Sequence, residues 1–375
     1  MNTFGISVLL LAFNGYCLQN INSCPPLPKR DSKPANIHDV RIDDIKVVAA
    51  IGDSITAGFA AKGSRGPLSL KNLFEQRGVS WSMGSDAGAV SVANFVKNYN
   101  PNVIGGSVGE HFVNICYGPL CPPFQYKPDL DRFNAARSGA LAANLPDEVD
   151  WLIKQMKKNP NVDMANDYKL VNLFIGSNDV CLGCQPFFKD FVFGGDQFED
   201  TMRDVLFKLQ WNIPKVIVNI HQQFDVSQLY DLTRWEPKCI AIRALSLGLQ
   251  CSCAFAPFGD KKRREMKELA AEYNRRLEKI QKDFLADKND NFMVLLNPSF
   301  RDVNIKQWDM SYISDVDCFH PSLKTHELMA VSSWNNLFVP FEQRSMSNCR
   351  FKNSSIDNIN RIHVLDQGLS LVFQF

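Results

Sequence analysis

Four short apolar runs, Val47–Ile51, Leu170–Ile175, Val216–Ile220 and Met293–Leu296, constrain this chain more than any other feature. Each has strand length and is bounded by turn-forming or polar residues. Between them lie segments of helical period: Leu145, Val149, Leu152 and Met156 share one face, as do Met202, Val205, Leu206 and Leu209. The longest helix is expected over 263–286, where Met266, Leu269, Tyr273, Leu277, Ile280 and Phe284 form an apolar stripe among charged residues, and a last one from Ser322 to Leu337. Strands alternating with helices imply βαβ units, hence an α/β fold with a mostly parallel sheet and helices on both faces. In such sheets chemistry gathers at the carboxyl ends of the strands.

The 375 residues suffice for one large core or two moderate ones. Lys and Arg (41) nearly balance Asp and Glu (40), and the densest basic cluster is only Lys261 to Arg264. Nucleic acid is therefore excluded as a partner, since phosphate binding needs a concentrated basic face. The apolar run Phe4 to Phe13, followed by small and polar residues, reads as a signal peptide over 1–17, too short to span a bilayer. Cleavage after Cys17 leaves ten cysteines, an even number that reads as disulfides in an extracellular compartment. A zinc site is the alternative for Cys181, Cys184, Cys251 and Cys253. No later segment reaches the length of a membrane span, and Asn353-Ser354-Ser355 is a glycosylation sequon. The expected organisation is an arm over 18–44, a catalytic domain over 45–344 and a tail over 345–375. Residues 59–130, rich in Gly, Ser, Asn and Pro, read as functional loops with short helices.

Four motifs fall where this topology would bring them together. Gly52-Asp53-Ser54-Ile55-Thr56-Ala57-Gly58 follows the first strand, where a serine can point its hydroxyl into the cleft while a helix start offers N–H groups. Asn134-Ala135-Ala136-Arg137-Ser138-Gly139 is expected to open the helix toward Met156, with Gly139 presenting its N–H unobstructed. Gly176-Ser177-Asn178-Asp179 follows the second strand, where the Asn178 amide could serve an oxyanion. Asp317-Cys318-Phe319-His320-Pro321 precedes the last helix, with Pro321 expected in its first turn. Asp317 could hold one ring nitrogen of His320 while the other faces Ser54. Taken singly, each motif reads equally as a plain turn or helix cap.

Taken together and in this order, the motifs resemble those of the SGNH (GDSL) hydrolases, from about Lys46 to Phe341. The stretches Arg77-Gly78-Val79-Ser80-Trp81-Ser82-Met83-Gly84, Leu173 to Asp179 with Cys181 and Cys184, Asp317-Cys318-Phe319-His320 and Trp334-Asn335-Asn336 are similar to the phospholipase B-like branch. The resemblance implies a three-layer α/β/α sandwich of flavodoxin-like type. It also implies a catalytic triad of Ser54, Asp317 and His320, and an oxyanion hole of Ser54, Gly139 and Asn178. The expected activity is hydrolysis of phospholipid and lysophospholipid acyl esters by water, with contact to a lipid interface and with no cofactor and no metal. One such unit and no C-terminal span are expected here, unlike in the multi-repeat, membrane-anchored members.

Other readings of the residues stay open. A carbohydrate or short-chain acetyl esterase would use the same fold, and a binding protein could have kept the fold without activity. Gly105-Gly106-Ser107-Val108-Gly109 matches the α/β-hydrolase nucleophile elbow, which requires a strand before it and a helix after it. A metallophosphoesterase would need clustered ligands, whereas the six histidines are scattered along the chain.

Overall fold

Side chains alternate across the first strand, so that Val47, Ala49 and Ile51 enter one buried cluster and Val48 and Ala50 enter another. A strand apolar on both faces must be covered on both, and this fixes a layered architecture. The computed structural model describes Leu27 and residues 30–338, except 67, 68, 117, 189, 246–250 and 257. The expected signal peptide 1–17, the start of the arm, the 345–375 tail and its sequon lie outside the described residues.

The strands are β1 (Ile45–Gly52), β2 (Phe74–Glu75), β3 (His111–Phe112), β4 (Tyr168–Phe174), β5 (Val216–His221) and β6 (Phe292–Asn297). The helices are α1 (Ser54–Ala57), α2 (Val92–Tyr99), α3 (Pro128–Asp131), α4 (Leu145–Lys158), α5 (Ser177–Leu182), α6 (Gly195–Asn212), α7 (Leu229–Thr233), α8 (Pro237–Leu245), α9 (Ser252–Phe255), α10 (Asp260–Ala286) and α11 (Leu323–Asn336). The main sheet has the order β1-β4-β5-β6 with every pair parallel, while β2 and β3 form a separate antiparallel pair. Apolar faces of α4, α6 and α10 cover one side and those of α2 and α11 the other, which gives the three layers expected from the sequence. Ile37, Val40 and Ile42, read from sequence as arm, are buried in the second cluster.

Three asparagines interrupt this apolar sheet on the face toward α11. Asn172 of β4, Asn219 of β5 and Asn297 of β6 are almost completely buried. Asn219 donates to the Asn172 side-chain oxygen at 2.8 Å, Asn297 donates to that of Asn219 at 3.2 Å, and Asn172 donates to Ser82 Oγ at 2.9 Å. The Asn297 amide also donates to the Ser333 carbonyl of α11 at 3.0 Å.

On the opposite face, α6 and α10 pack through Phe198 and Tyr273, whose rings stack with centroids 3.9 Å apart. Glu199, one residue on, pairs with Arg203, Arg276 and Lys279. Of the stripe expected on α10, Met266, Tyr273, Leu277 and Ile280 are buried, and Leu269 and Phe284 are partly buried against the core. Among the described residues no helix is long and apolar enough to cross a membrane.

Four disulfides join described cysteines: Cys116–Cys121, Cys181–Cys251, Cys184–Cys253 and Cys239–Cys318. The set considered for zinc is thus two disulfides linking α5 and the turn after it to α9 and its N-cap. Phe198 is fully buried and stacked, so Phe198→Ala leaves a cavity between α6 and α10 that neither helix can close. It should cost about 3–5 kcal/mol. Urea unfolding should show this as a lower midpoint at unchanged m-value, and a loss below about 1 kcal/mol would contradict the packing.

Candidate active site

The carboxyl end of β1 comes unusually close to β4. A Cβ on Gly52 would sit 2.3 Å from the Phe174 carbonyl oxygen, so only glycine allows the approach. The Gly52 N–H donates to Glu148 Oε2 of α4 at 2.8 Å. Asp53 then caps the next turn, its Oδ1 accepting the Ile55 N–H at 2.9 Å, and Ser54 becomes the first residue of α1. The Ser54 hydroxyl lies at the sheet edge with its own N–H at a helix start, where no intrahelical acceptor exists.

Opposite it, the segment 317–320 folds around one carboxylate. Asp317 Oδ1 accepts the N–H groups of Phe319 at 2.9 Å and His320 at 3.0 Å, and Oδ2 lies 2.5 Å from His320 Nδ1. His320 Nε2 lies 2.7 Å from Ser54 Oγ. The His320 ring is fixed edge-on between Phe59, at 4.8 Å, and Phe319, at 5.1 Å. Burial by itself would raise the Asp317 carboxyl, but His320 and the two backbone N–H groups hold it below its ordinary value. Cys318, at the crest of this turn, is tied to Cys239 of α8. Pro321 lies outside the last helix, in whose first turn it was expected. Ser322 takes the N-cap in extended conformation, and Pro321 pairs with Ile313 as an isolated bridge.

The Asn134–Gly139 motif also differs in local structure from its expected role as a helix opening. It runs beside β1, with Ala135 N–H on the Ala50 carbonyl at 2.8 Å and Arg137 N–H on the Gly52 carbonyl at 3.0 Å. A 3-10 turn at Ala142–Asn144 separates it from α4. Gly139 has a positive φ of 84°, a conformation that favours glycine, and its N–H meets no acceptor among the described residues. Asn178, in the first turn of α5, donates from Nδ2 to the Ala140 carbonyl at 3.0 Å. The structure thus gathers Ser54, His320 and Asp317 into one hydrogen-bonded line, with Gly139 and Asn178 adjoining each other at the same sheet edge.

Ser107, the rival nucleophile, is fully buried, donates to the Asp131 carbonyl at 2.9 Å, and follows no strand. Among the described residues no three His, Cys, Asp or Glu side chains are grouped to hold a metal. A small apolar cleft of about 40 Å³, partly open to solvent, adjoins the site and is lined by Ile55, Phe224, Phe300, Ile305, Trp308 and Phe319. In the 59–130 loops, Phe59 packs edge-on against His320, and Leu70 and Leu73 are exposed.

Three carboxyls beneath the site escaped notice or were read only as turn formers. Burial pushes Asp53 and Asp179 up to about 7 and Glu148 up to about 8, and Asp53 is near enough to Asp179 and Glu148 to raise both further. Asp179 accepts the Ala142 N–H at 3.0 Å. Glu148 had left a trace in the sequence: it stands on the apolar stripe of α4 with Leu145, Val149 and Leu152.

The family described as GDSL-like Lipase/Acylhydrolase matches residues 48–332. Fold and family together define the class, a carboxylic ester hydrolase on a three-layer α/β/α scaffold. The chain belongs to the GDSL-like lipase/acylhydrolase family. Among curated proteins it is similar to "Phospholipase B1, membrane-associated" of Rattus norvegicus, at 30% identity over 333 residues, covering 86% of this chain and 22% of that protein. The Homo sapiens protein of the same name is 29% identical over 337 residues, covering 86% and 21%. The chain therefore spans about a fifth of the length of these relatives. Among solved structures, Axe2, an acetylxylan esterase from Geobacillus stearothermophilus, aligns with TM-score 0.38 and 17% identity over 77% of this chain and 92% of that one. A carbohydrate esterase family 3 protein from Talaromyces cellulolyticus aligns with TM-score 0.36 and 15% identity, covering 77% and 94%.

The raised Glu148 carboxyl gives a pH signature. Its contribution to stability is full below its ordinary value of 4.5 and is lost as the pH rises toward about 8, because the unfolded chain releases the proton first. Glu148→Gln keeps an acceptor for Gly52 and removes the titration. Thermal midpoints measured from about pH 5 to about pH 8 should fall less steeply in the variant than in the parent. Parallel curves would remove Glu148 from this role.

Proposed function

We propose that the chain is a secreted serine esterase that hydrolyses acyl esters of phospholipids and lysophospholipids through an acyl-enzyme. The observation that carries the reading is the unbroken line from Asp317 through His320 to Ser54, with both ring nitrogens within hydrogen-bond reach of their partners. Ser54 attacks the ester carbonyl as His320 Nε2 takes its proton, and ionised Asp317 stabilises the imidazolium and fixes the ring. The tetrahedral oxyanion is held by the N–H groups of Ser54 and Gly139 and the side-chain amide of Asn178. The protonated His320 then passes its proton to the departing alcohol. Water hydrolyses the acyl-enzyme with His320 as base, and no step calls for a metal or cofactor.

The substrate class rests on the name of the 30% identical relative together with the apolar cleft beside Ile55 and Phe319. Exposed Leu70, Leu73, Phe112 and Leu120 on the neighbouring loops suit contact with a lipid interface. The four disulfides support export to an oxidising compartment. We assign the hydrolase unit to residues 45–344.

Ser54→Ala should abolish hydrolysis and fluorophosphonate labelling while the protein stays folded, whereas Ser107→Ala should keep most activity. A dead Ser107→Ala beside an active Ser54→Ala would overturn the assignment. Asn178→Ala should lower kcat by roughly 10²–10³ with a smaller change in KM, because one oxyanion donor is lost. An ester chain-length series beside phosphatidylcholine and lysophosphatidylcholine tests the substrate. Rates should rise with chain length, since each buried methylene contributes about 0.8 kcal/mol until the cleft is filled. Acetyl preference, with no fatty acid released from either phospholipid, would leave an esterase but exclude a phospholipase.

A further inference from the structure

A second buried cluster of charge lies behind the 134–139 segment and takes no direct part in the chemistry above. Arg77 and Glu75 are almost fully buried, as are Asp131 and His111. Arg77 donates from Nε and Nη2 to Glu75 Oε2 at 2.9 and 2.7 Å, and its Nε lies 3.3 Å from Asp131 Oδ1. His111 Nε2 lies 2.7 Å from Asp131 Oδ1 and 3.5 Å from Glu75 Oε2. Burial by itself would lower the His111 imidazole, but these two carboxylates hold it above its ordinary value. A cluster of this kind adds little net stability, because the desolvation of its charges offsets their attraction. What it can supply is a fixed geometry.

That geometry is imposed on the backbone of one segment. Arg77 Nη1 donates to the Asn134 carbonyl at 3.0 Å and Nη2 to the Ala136 carbonyl at 2.9 Å. The Ala135 carbonyl accepts from the Tyr126 hydroxyl at 2.9 Å. The Ser138 hydroxyl donates to Glu75 Oε1, and the Ser138 carbonyl accepts from the Cys116 N–H at 2.8 Å. That last carbonyl belongs to the same planar trans peptide as the Gly139 N–H. Fixing one end of the peptide plane aims the other end in the opposite direction.

We infer that Glu75 and Arg77 are positioning residues that aim the Gly139 N–H at the oxyanion, acting through Ser138 and the 134–136 carbonyls. The inference rests on the esterase reading above. Arg77 suits the task because its planar fork reaches a carboxylate and two carbonyls at once, which a lysine point charge cannot do.

The test uses the purified full chain with a soluble short-chain p-nitrophenyl ester, and it compares Ser138→Ala and Arg77→Lys with the parent. Ser138→Ala removes only the hydroxyl that links the segment to Glu75. A misaimed donor should lower kcat by roughly tenfold or more with KM within about threefold, since small misplacements of catalytic groups cost rate rather than binding. Fluorophosphonate labelling of Ser54, which builds charge on the same oxygen, should slow by a similar factor. Thermal midpoints show whether each variant is folded at the assay temperature. Should Arg77→Lys not fold, Ser138→Ala decides alone. A folded Ser138→Ala with parental kcat and labelling rate, or one whose loss lies entirely in KM, would overturn the inference. A parent chain that neither hydrolyses the ester nor labels would instead sink the esterase reading.

Discussion

The ladder of amides from Asn172 through Asn219 to Asn297 sets the register on which the site depends. Each amide is buried in a largely apolar sheet, and each finds a partner on the adjacent strand. A slip of one residue would turn the amides toward the opposite, largely apolar face, leaving groups whose desolvation costs about 1–3 kcal/mol each. With register fixed, Gly52, Phe174, His221 and Asn297 end at one edge. The turns carrying Ser54 and Asn178 leave directly from two of those ends, and the Asp317–His320 turn packs against the same edge through Ser54.

At that edge, like carboxyls are given unlike states by their surroundings. Asp317 receives two backbone N–H groups and the imidazole, and is held as an anion. Asp53 is more deeply buried and caps its helix with one oxygen, while its other oxygen has no partner among the described residues. It is pushed up instead, to about 7. Burial outweighs the single cap at Asp53, whereas an imidazole and two N–H groups outweigh burial at Asp317.

The sheet and its long helices were legible because burial on two faces leaves a strong mark: four apolar runs and an α10 stripe that needed no tertiary information. The Asn ladder was not legible, since Asn172 inside Leu170–Ile175 reads as a blemish until its neighbour across the sheet is known. Pro321 misled because a proline suits a helix's first turn, whereas the bridge to Ile313 is a contact between distant turns. The Ser54 and Asn178 motifs could be read since each follows a strand end, and the Asp317–His320 motif since it precedes a helix. Glu75, Arg77 and His111 could not, because their meaning lies in a β2–β3 pairing too short to produce a period.

The disulfides carry a consequence of another kind. Cys239–Cys318 anchors the turn between Asp317 and His320, while Cys181–Cys251 and Cys184–Cys253 brace the helix that bears Asn178. Cys116, whose N–H holds the Ser138 carbonyl, is bonded to Cys121. Each of these segments is therefore braced by a bond that persists only in an oxidising compartment. A chain still in the reducing interior of the cell that makes it lacks those braces. On the proposed reading, the geometry of the site is complete only once these four bonds have formed.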